Sequence, residues 1–171
     1  MASHKGLVEP HVLLASNNPI RLIKNLTYIL SPDQIQKIED EVNINVASLY
    51  ALGCSHYSFA MSIGDNEWRQ VVSRLYYAAY NIKRSVSLRC DGAYSTESSD
   101  HSKIEFLPAT LENAQAYKLR SKNLRDDRNL ADYSHSAVEG DLLYTVDSVR
   151  TMVTDFMSDA KKFLIANGVQ V

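Results

Sequence analysis

Ser73-Arg74-Leu75-Tyr76-Tyr77-Ala78-Ala79-Tyr80-Asn81 is the stretch of sequence that decides the fold. Around it, apolar residues recur at three- and four-residue steps, a spacing that places them on one face of a helix. These residues are Val72, Leu75, Ala79, Ile82 and Val86. Tyr76, Tyr77 and Tyr80 widen the apolar face with rings that carry a polar tip. The pattern predicts an amphipathic helix from Glu67 to about Cys90.

A long helix is predicted on the N-terminal side of this one. Ser31-Pro32-Asp33 is a start signal, because serine is a good N-cap, proline suits the first helical position and aspartate favours the positive helix end. The same three- and four-residue steps then continue to about Ile63. Gly53 lies inside this pattern and indicates a bend or a close crossing with another helix.

Two further helices are predicted on the C-terminal side. One runs from about Thr110 to Asp132, and the last runs from about Asp141 to Ala166. No segment shows the sustained alternation that is typical of a strand. The sequence therefore predicts an all-α bundle of four principal helices over residues 32–171. Residues 1–31 are predicted to be an N-terminal leader with a short helix around Ile20 to Leu30, capped by Asn17 or Asn18.

The composition excludes several classes of protein. The chain has 171 residues, of which 45% are hydrophobic and 22% charged, a balance typical of one globular domain. The formal net charge of −2 excludes a polycation, so any nucleic-acid contact must come from a local basic patch. Residues 1–15 lack a signal-peptide core, and no stretch approaches the ~20 apolar residues that span a bilayer. A cytoplasmic location is expected.

The densest group of reactive side chains is Arg128-Asn129-Leu130-Ala131-Asp132-Tyr133-Ser134-His135. An arginine can hold a phosphate in two-point contact, and an imidazole can move a proton near neutral pH. Together these are the minimum parts for cutting RNA without a metal. If the helix continued through His135, the arginine and histidine would share a face about 10 Å apart along the axis. If it ends near Asp132 or Tyr133, the chain can turn back and bring His135 closer.

At these residues the sequence resembles the HEPN domains, which are α-helical proteins with a motif of arginine, four to six residues, then histidine. Arg128 and His135 have six residues between them, and Asn129 matches the polar residue that often follows the arginine. The run from Arg128 to Ala131-Asp132-Tyr133 resembles the R-x-x-A-D-Y form of many members. The stretch from Ser73 to Asn81 looks like the tyrosine-rich second helix of the family. The order and spacing of the helices agree from about residue 32 to 166.

The resemblance implies a metal-independent endoribonuclease that leaves a 2′,3′-cyclic phosphate end. Arg128 would stabilise the charge that builds on the phosphate. His135 would act as general base or acid. Asn129, Asp132 and Tyr133 would orient the phosphate, the imidazole or a base.

Basic residues near this motif predict an RNA path along the third helix. They are Lys118, Arg120, Lys122, Arg125 and Arg128. The alternative interpretation is a solvated helix face that Asp126 and Asp127 partly neutralise. His101 begins a short segment, where it either caps a helix or faces the cleft, and a structural role is favoured. No metal or cofactor is expected, since no two histidines have metal-ligand spacing.

The resemblance also implies partners. Family members usually pair, so a homodimer with two-fold symmetry and composite sites is expected. A toxin or defence effector of this kind would be held in check by a partner such as an antitoxin. The alternative hypothesis is a non-catalytic HEPN module that binds a partner protein, such as a nucleotidyltransferase, or a nucleotide.

Overall fold

The computed structural model describes residues 18–171, apart from the side chains of Asp65 and Ser98, and this part of the chain contains helices and no strand. Its five α-helices are α1 (Pro19–Leu26), α2 (Pro32–Ser62), α3 (Trp68–Asp91), α4 (Ala114–Tyr133) and α5 (Val146–Ala166). Single 3₁₀ turns cover Asp65–Glu67, Ser98–Lys103 and Glu139–Asp141. The prediction of an all-α fold is confirmed. The part of the predicted leader at residues 1–17 lies outside the described residues.

Helix α2 begins where the sequence predicts, because Ser31 forms a complete capping box. The Ser31 hydroxyl accepts from the Gln34 amide, while the Gln34 side chain accepts from the Ser31 amide. Asn18 caps α1 in a similar way by accepting from the Arg21 amide at 2.9 Å. Its amide group also donates to the Asp91 carbonyl at 2.7 Å, which fastens the start of α1 to the end of α3.

Three helices are shorter than predicted. Helix α1 ends at Leu26, four residues before the predicted end. Helix α4 begins at Ala114 instead of Thr110, because Asn113 has a φ of 57°, which an α-helix does not accommodate. Helix α5 begins at Val146 instead of Asp141. Buried Asp127 accepts from the amides of Leu143 and Tyr144 at 2.7 and 3.3 Å, so these amides need no helical hydrogen bonds and the chain bends here instead.

Helix α3 lies at the centre of the fold and contacts α2, α4 and α5. Its predicted apolar face is buried, and Leu75, Ile82 and Val86 have no exposed surface. At Gly53 of α2 an added Cβ would lie 2.7 Å from the Ile82 Cδ1 atom. The glycine therefore marks a close helix crossing, one of the two alternatives that the sequence left open.

Within residues 18–171, none of the helices combines the length and apolarity needed to cross a membrane. Cys54 and Cys90 are free thiols.

Candidate functional site

Arg128 lies in the last turns of α4 and is held on all sides of its guanidinium group. Its Nε lies 2.7 Å from Asp132 Oδ2, and its Nη2 donates to the Tyr77 hydroxyl at 2.6 Å. Its Nη1 donates to Asn129 Oδ1 at 3.1 Å and to the Tyr133 hydroxyl at 3.4 Å. We call these five residues the Arg128 cluster. The structure thus brings together four of the residues that the sequence singled out and adds Tyr77 from α3.

Aromatic rings surround the same guanidinium group. Its central carbon lies 5.5, 5.3 and 5.2 Å from the ring centres of Tyr76, Tyr77 and Tyr133, within the range of cation–π attraction. The Arg128 side chain is only 15% exposed. Burial disfavours its charge, but the nearby Asp132 carboxylate and the phenols outweigh burial and raise the pKa of Arg128. Arg128 therefore stays protonated in this partly dry setting, where the carboxylate of Asp132 balances its charge.

His101 is a site residue that the sequence reasoning interpreted as mainly structural. The Ser98–Lys103 turn brings its ring against Tyr80 of α3, with centres 4.2 Å apart, and its Nδ1 lies 2.7 Å from the Tyr76 hydroxyl. Burial lowers the pKa of His101, and the positive charge of Arg128 lowers it further. The site therefore favours the neutral form of this imidazole, whose ring also meets that of Tyr77 edge-on with centres 6.0 Å apart.

The tautomer of His101 follows from its partner. Burial raises the pKa of Tyr76, so this phenol stays protonated and has a proton to donate. Among the described residues, the Tyr76 hydroxyl has no hydrogen-bond partner other than the imidazole. The arrangement that satisfies both groups has Tyr76 donating to Nδ1, which leaves the imidazole proton on Nε2.

His135 is exposed in the segment that follows α4. The helix ends at Tyr133, and Ser134 is extended with φ −92° and ψ 109°. Of the two alternatives given by the sequence, a helix that runs through His135 or one that ends near Asp132 or Tyr133, the structure has the second. Within the described residues, however, no hydrogen bond or ring contact joins His135 to Arg128. The catalytic role of His135 stays a prediction.

Arg69, in the first turn of α3, holds the segment that carries His135. Its guanidinium group donates to three carbonyls, those of Ala131, Ser134 and Ala137, at 2.7, 2.8 and 2.6 Å. Sequence reasoning missed this residue. The available signal was its position, because a cation is unfavourable at the positive end of a helix and indicates that another partner compensates it.

The basic residues of α4 do not all share one face, because Lys118 lines a cavity with Lys83 and Lys103 whereas Arg120 lines another with Asp155 and Asp159. Arg125 forms an ion pair with Asp126 at 3.3 Å and donates to the Ser102 carbonyl at 3.4 Å, next to His101. Lys122 is exposed. Asp127 is not on the solvated face that the alternative interpretation required, since it is 1% exposed and burial raises its pKa. Of the other basic residues of α4, Arg125 and Lys122 lie nearest to Arg128 in sequence.

In residues 18–171, no group of three or more histidine, cysteine, aspartate or glutamate side chains is placed to hold a metal ion. No protein-family model, no curated protein and no solved structure matches this chain.

Proposed function

We propose that the protein is a HEPN-like endoribonuclease that cuts RNA without a metal at the Arg128 cluster. One observation carries the proposal. Arg128 lies in a partly dry cage of phenols, paired with Asp132, and the imidazole of His101 reaches the same phenols through Tyr76 and Tyr77. A cation and a further donor that bind the phosphate are two of the groups that metal-free cleavage of RNA needs, and the proposal assigns the proton transfer to His135.

The Nη1 edge of Arg128 is where a phosphate would bind. Nη1 makes the two longest contacts of the guanidinium group, 3.1 Å to Asn129 and 3.4 Å to Tyr133, while the other nitrogens have partners at 2.6 and 2.7 Å. The Tyr133 side chain is 72% exposed, so its ring has room to move aside and stack on a base. Asp132 and Tyr77 would meanwhile hold the guanidinium group in place.

The reaction is an in-line attack of the RNA 2′-hydroxyl on the adjacent phosphorus. The 2′-oxygen forms a new bond to phosphorus, the bond to the 5′-oxygen breaks, and the product carries a 2′,3′-cyclic phosphate. His135 takes the proton of the 2′-hydroxyl, and the imidazolium that forms returns a proton to the leaving 5′-oxygen, so the protons balance. Arg128 and the Nε2–H of His101 donate to the phosphate oxygens as their negative charge increases.

Apolar surface beside the cluster supports a dimer as part of the proposal. Tyr133 is 72% exposed, and Val138 and Leu143 of the following segment are each 61% exposed. A two-fold axis near this surface would place two Arg128 clusters in one cleft. We also propose a cytoplasmic location and a restraining partner, either an antitoxin or a nucleotidyltransferase.

A second candidate function is a non-catalytic HEPN module that binds a nucleotide or a partner protein. The ion pair between Arg128 and Asp132, together with the 15% exposure of the Arg128 side chain, favours this candidate, because a structural arginine is neutralised and buried in this way. The position of His135, which makes no described contact with Arg128, favours it too.

Cleavage of a diverse RNA pool in the presence of a chelator separates the two candidates. The endoribonuclease proposal predicts cutting by the wild type. It predicts a loss of about 10²–10³-fold in Arg128→Ala, where the charge-stabilising donor is absent, and a similar or larger loss in His135→Ala. Lys37→Ala, an exposed lysine on α2, is the control and should keep full activity.

A wild type that binds RNA but cuts none, with binding lost in Arg128→Ala, would favour the non-catalytic module. Arg128→Lys serves as a second variant in case Arg128→Ala does not fold. It keeps a positive charge at the site but lacks the fork of donors of a guanidinium group. Circular dichroism of each variant establishes that the helices are intact.

A further inference from the structure

A cavity lies beside the Arg128 cluster, on the other side of Tyr80. It has a volume of about 400 Å³ and is enclosed by the C-terminal half of α3, residues 91–95 and the Ser98–Lys103 turn, with Lys118 of α4 at its wall. Tyr80 separates it from the cluster: its ring stacks on His101, and its hydroxyl donates to Asp100 at 3.0 Å. The volume is within the range of about 300–1,000 Å³ that small-molecule sites have.

Lys83 is the most informative residue of this cavity. It lies on the wall and is only 5% exposed, although lysine is rarely buried without a partner. Among the described residues, no side chain forms a hydrogen bond or an ion pair with its Nζ. Burial lowers the pKa of Lys83, and the nearby carboxylates of Asp100 and Asp91 only partly offset this effect. The stem of Lys83 is buried, whereas Nζ still meets the cavity with its donors unused by the protein, and such a group is one that an anionic ligand satisfies.

The charges around the cavity fit an anion. Four cations line it, Lys83, Arg84, Lys103 and Lys118, against the two carboxylates of Asp91 and Asp100. The cations outnumber the carboxylates, and in a concave site the electrostatic potentials of several like charges add up. The cavity therefore attracts an anion.

Arg84 keeps the cavity in shape. Its Nη2 donates to the Ser95 carbonyl at 2.9 Å, and its guanidinium group lies over the rings of Tyr80 and Tyr94 at 5.5 and 5.2 Å. These contacts hold residues 94 and 95 against α3. Tyr94 itself is half-buried and contributes to the lining of the cavity.

We propose that this cavity is a binding site for a phosphate group, with buried Lys83 and exposed Lys103 as its main ligands. The phosphate comes either from a free nucleotide or from the backbone of an RNA strand. The inference does not rest on RNA cleavage, because a protein that cuts no RNA would still bind phosphate here.

Binding is measured on the full chain with three probes: inorganic phosphate, 5′-AMP and a short 2′-O-methyl oligoribonucleotide. The readouts are the melting temperature and the amide chemical shifts of residues 91–103. Adenosine, which lacks the phosphate, is the negative probe. We expect the phosphate-bearing probes to raise the melting temperature as their concentration increases and to shift these amides, whereas adenosine does neither.

The matched variants are Lys83→Met and Lys161→Met, the latter at an exposed position of α5. Lys83→Met should weaken binding of inorganic phosphate about tenfold or more, because it removes a charged donor. Lys161→Met should leave it unchanged. Lys103→Met, an exposed position that is safe for folding, should weaken it severalfold and decides the question if Lys83→Met does not fold.

Two results would overturn the inference. One is the absence of any phosphate-dependent shift in residues 91–103 of the wild type. The other is a response to phosphate that Lys83→Met and Lys103→Met both retain in full. A response confined to the amides around Arg128 counts as this second result. Tighter binding of 5′-AMP than of the oligonucleotide identifies a free nucleotide as the source of the phosphate, and the reverse order identifies RNA.

Discussion

Replacing Arg69 with methionine should destabilise the protein and release the segment that carries His135. The substitution removes three short hydrogen bonds from a charged donor, to the carbonyls of Ala131, Ser134 and Ala137. Each such bond contributes about 1.5–3 kcal/mol, but the carbonyls of this half-buried turn regain water in the variant. We therefore expect a loss of about 2–4 kcal/mol in the free energy of unfolding.

Urea unfolding monitored by circular dichroism measures this loss. Arg21→Met, at an exposed position of α1, is the control and should change the free energy of unfolding by less than about 0.5 kcal/mol. Arg69→Lys should recover only part of the loss, since an ammonium group cannot reach three carbonyls with the geometry of a guanidinium group. Equal stabilities of Arg69→Met and the control would refute the reasoning that Arg69 holds this segment.

Three further predictions concern pH and packing. Because the pKa of His101 is lowered from 6.5 in the folded chain, the unfolded chain binds the extra proton, and the free energy of unfolding should fall from about pH 7 to pH 5. His101→Gln should reduce that fall in urea titrations at each pH, and the remainder is expected from His56, whose pKa burial also lowers. Gly53→Ala places a methyl group 2.7 Å from Ile82 Cδ1 and should cost about 1–3 kcal/mol in spite of its higher helix propensity, with partial recovery in the double variant that also carries Ile82→Val. Burial disfavours the ionised form of Asp159, but hydrogen bonds from Asn113, Tyr117 and Lys162 outweigh it and lower its pKa. The stability from this carboxylate is therefore present at pH 7 and lost as the pH falls through its pKa, so the destabilisation by Tyr117→Phe should be larger at pH 7 than at about pH 3.

The helices could be predicted from the sequence because local signals specify them. The capping box of Ser31 and Gln34 starts α2 where the pattern predicts, and the apolar face of α3 is buried as its spacing requires. The errors occurred where a long-range contact decides the backbone. Asp127 satisfies two amides ahead of α5, and this contact spans 16 and 17 residues, so no local pattern reveals it.

The candidate site was predictable only in the part that one helix carries. Arg128, Asn129, Asp132 and Tyr133 lie within six residues on α4, so helical spacing brings them together. Tyr77 and His101 come from other elements, and their approach to Arg128 depends on how the chain between α3 and α4 folds. That segment has no periodic pattern, and sequence reasoning therefore could not place His101 beside Tyr80.

The direct test of the central claim compares RNA with its 2′-O-methyl counterpart of the same sequence, with a chelator present, and analyses the product ends. Because the attacking group is the 2′-hydroxyl, the account predicts that the wild type cuts only the unmodified RNA and leaves 2′,3′-cyclic phosphates. It also predicts that Arg128→Lys loses most of this activity, because a single ammonium group cannot replace the guanidinium contacts. Cleavage of both RNAs, or no cleavage of either by the wild type, would contradict the account.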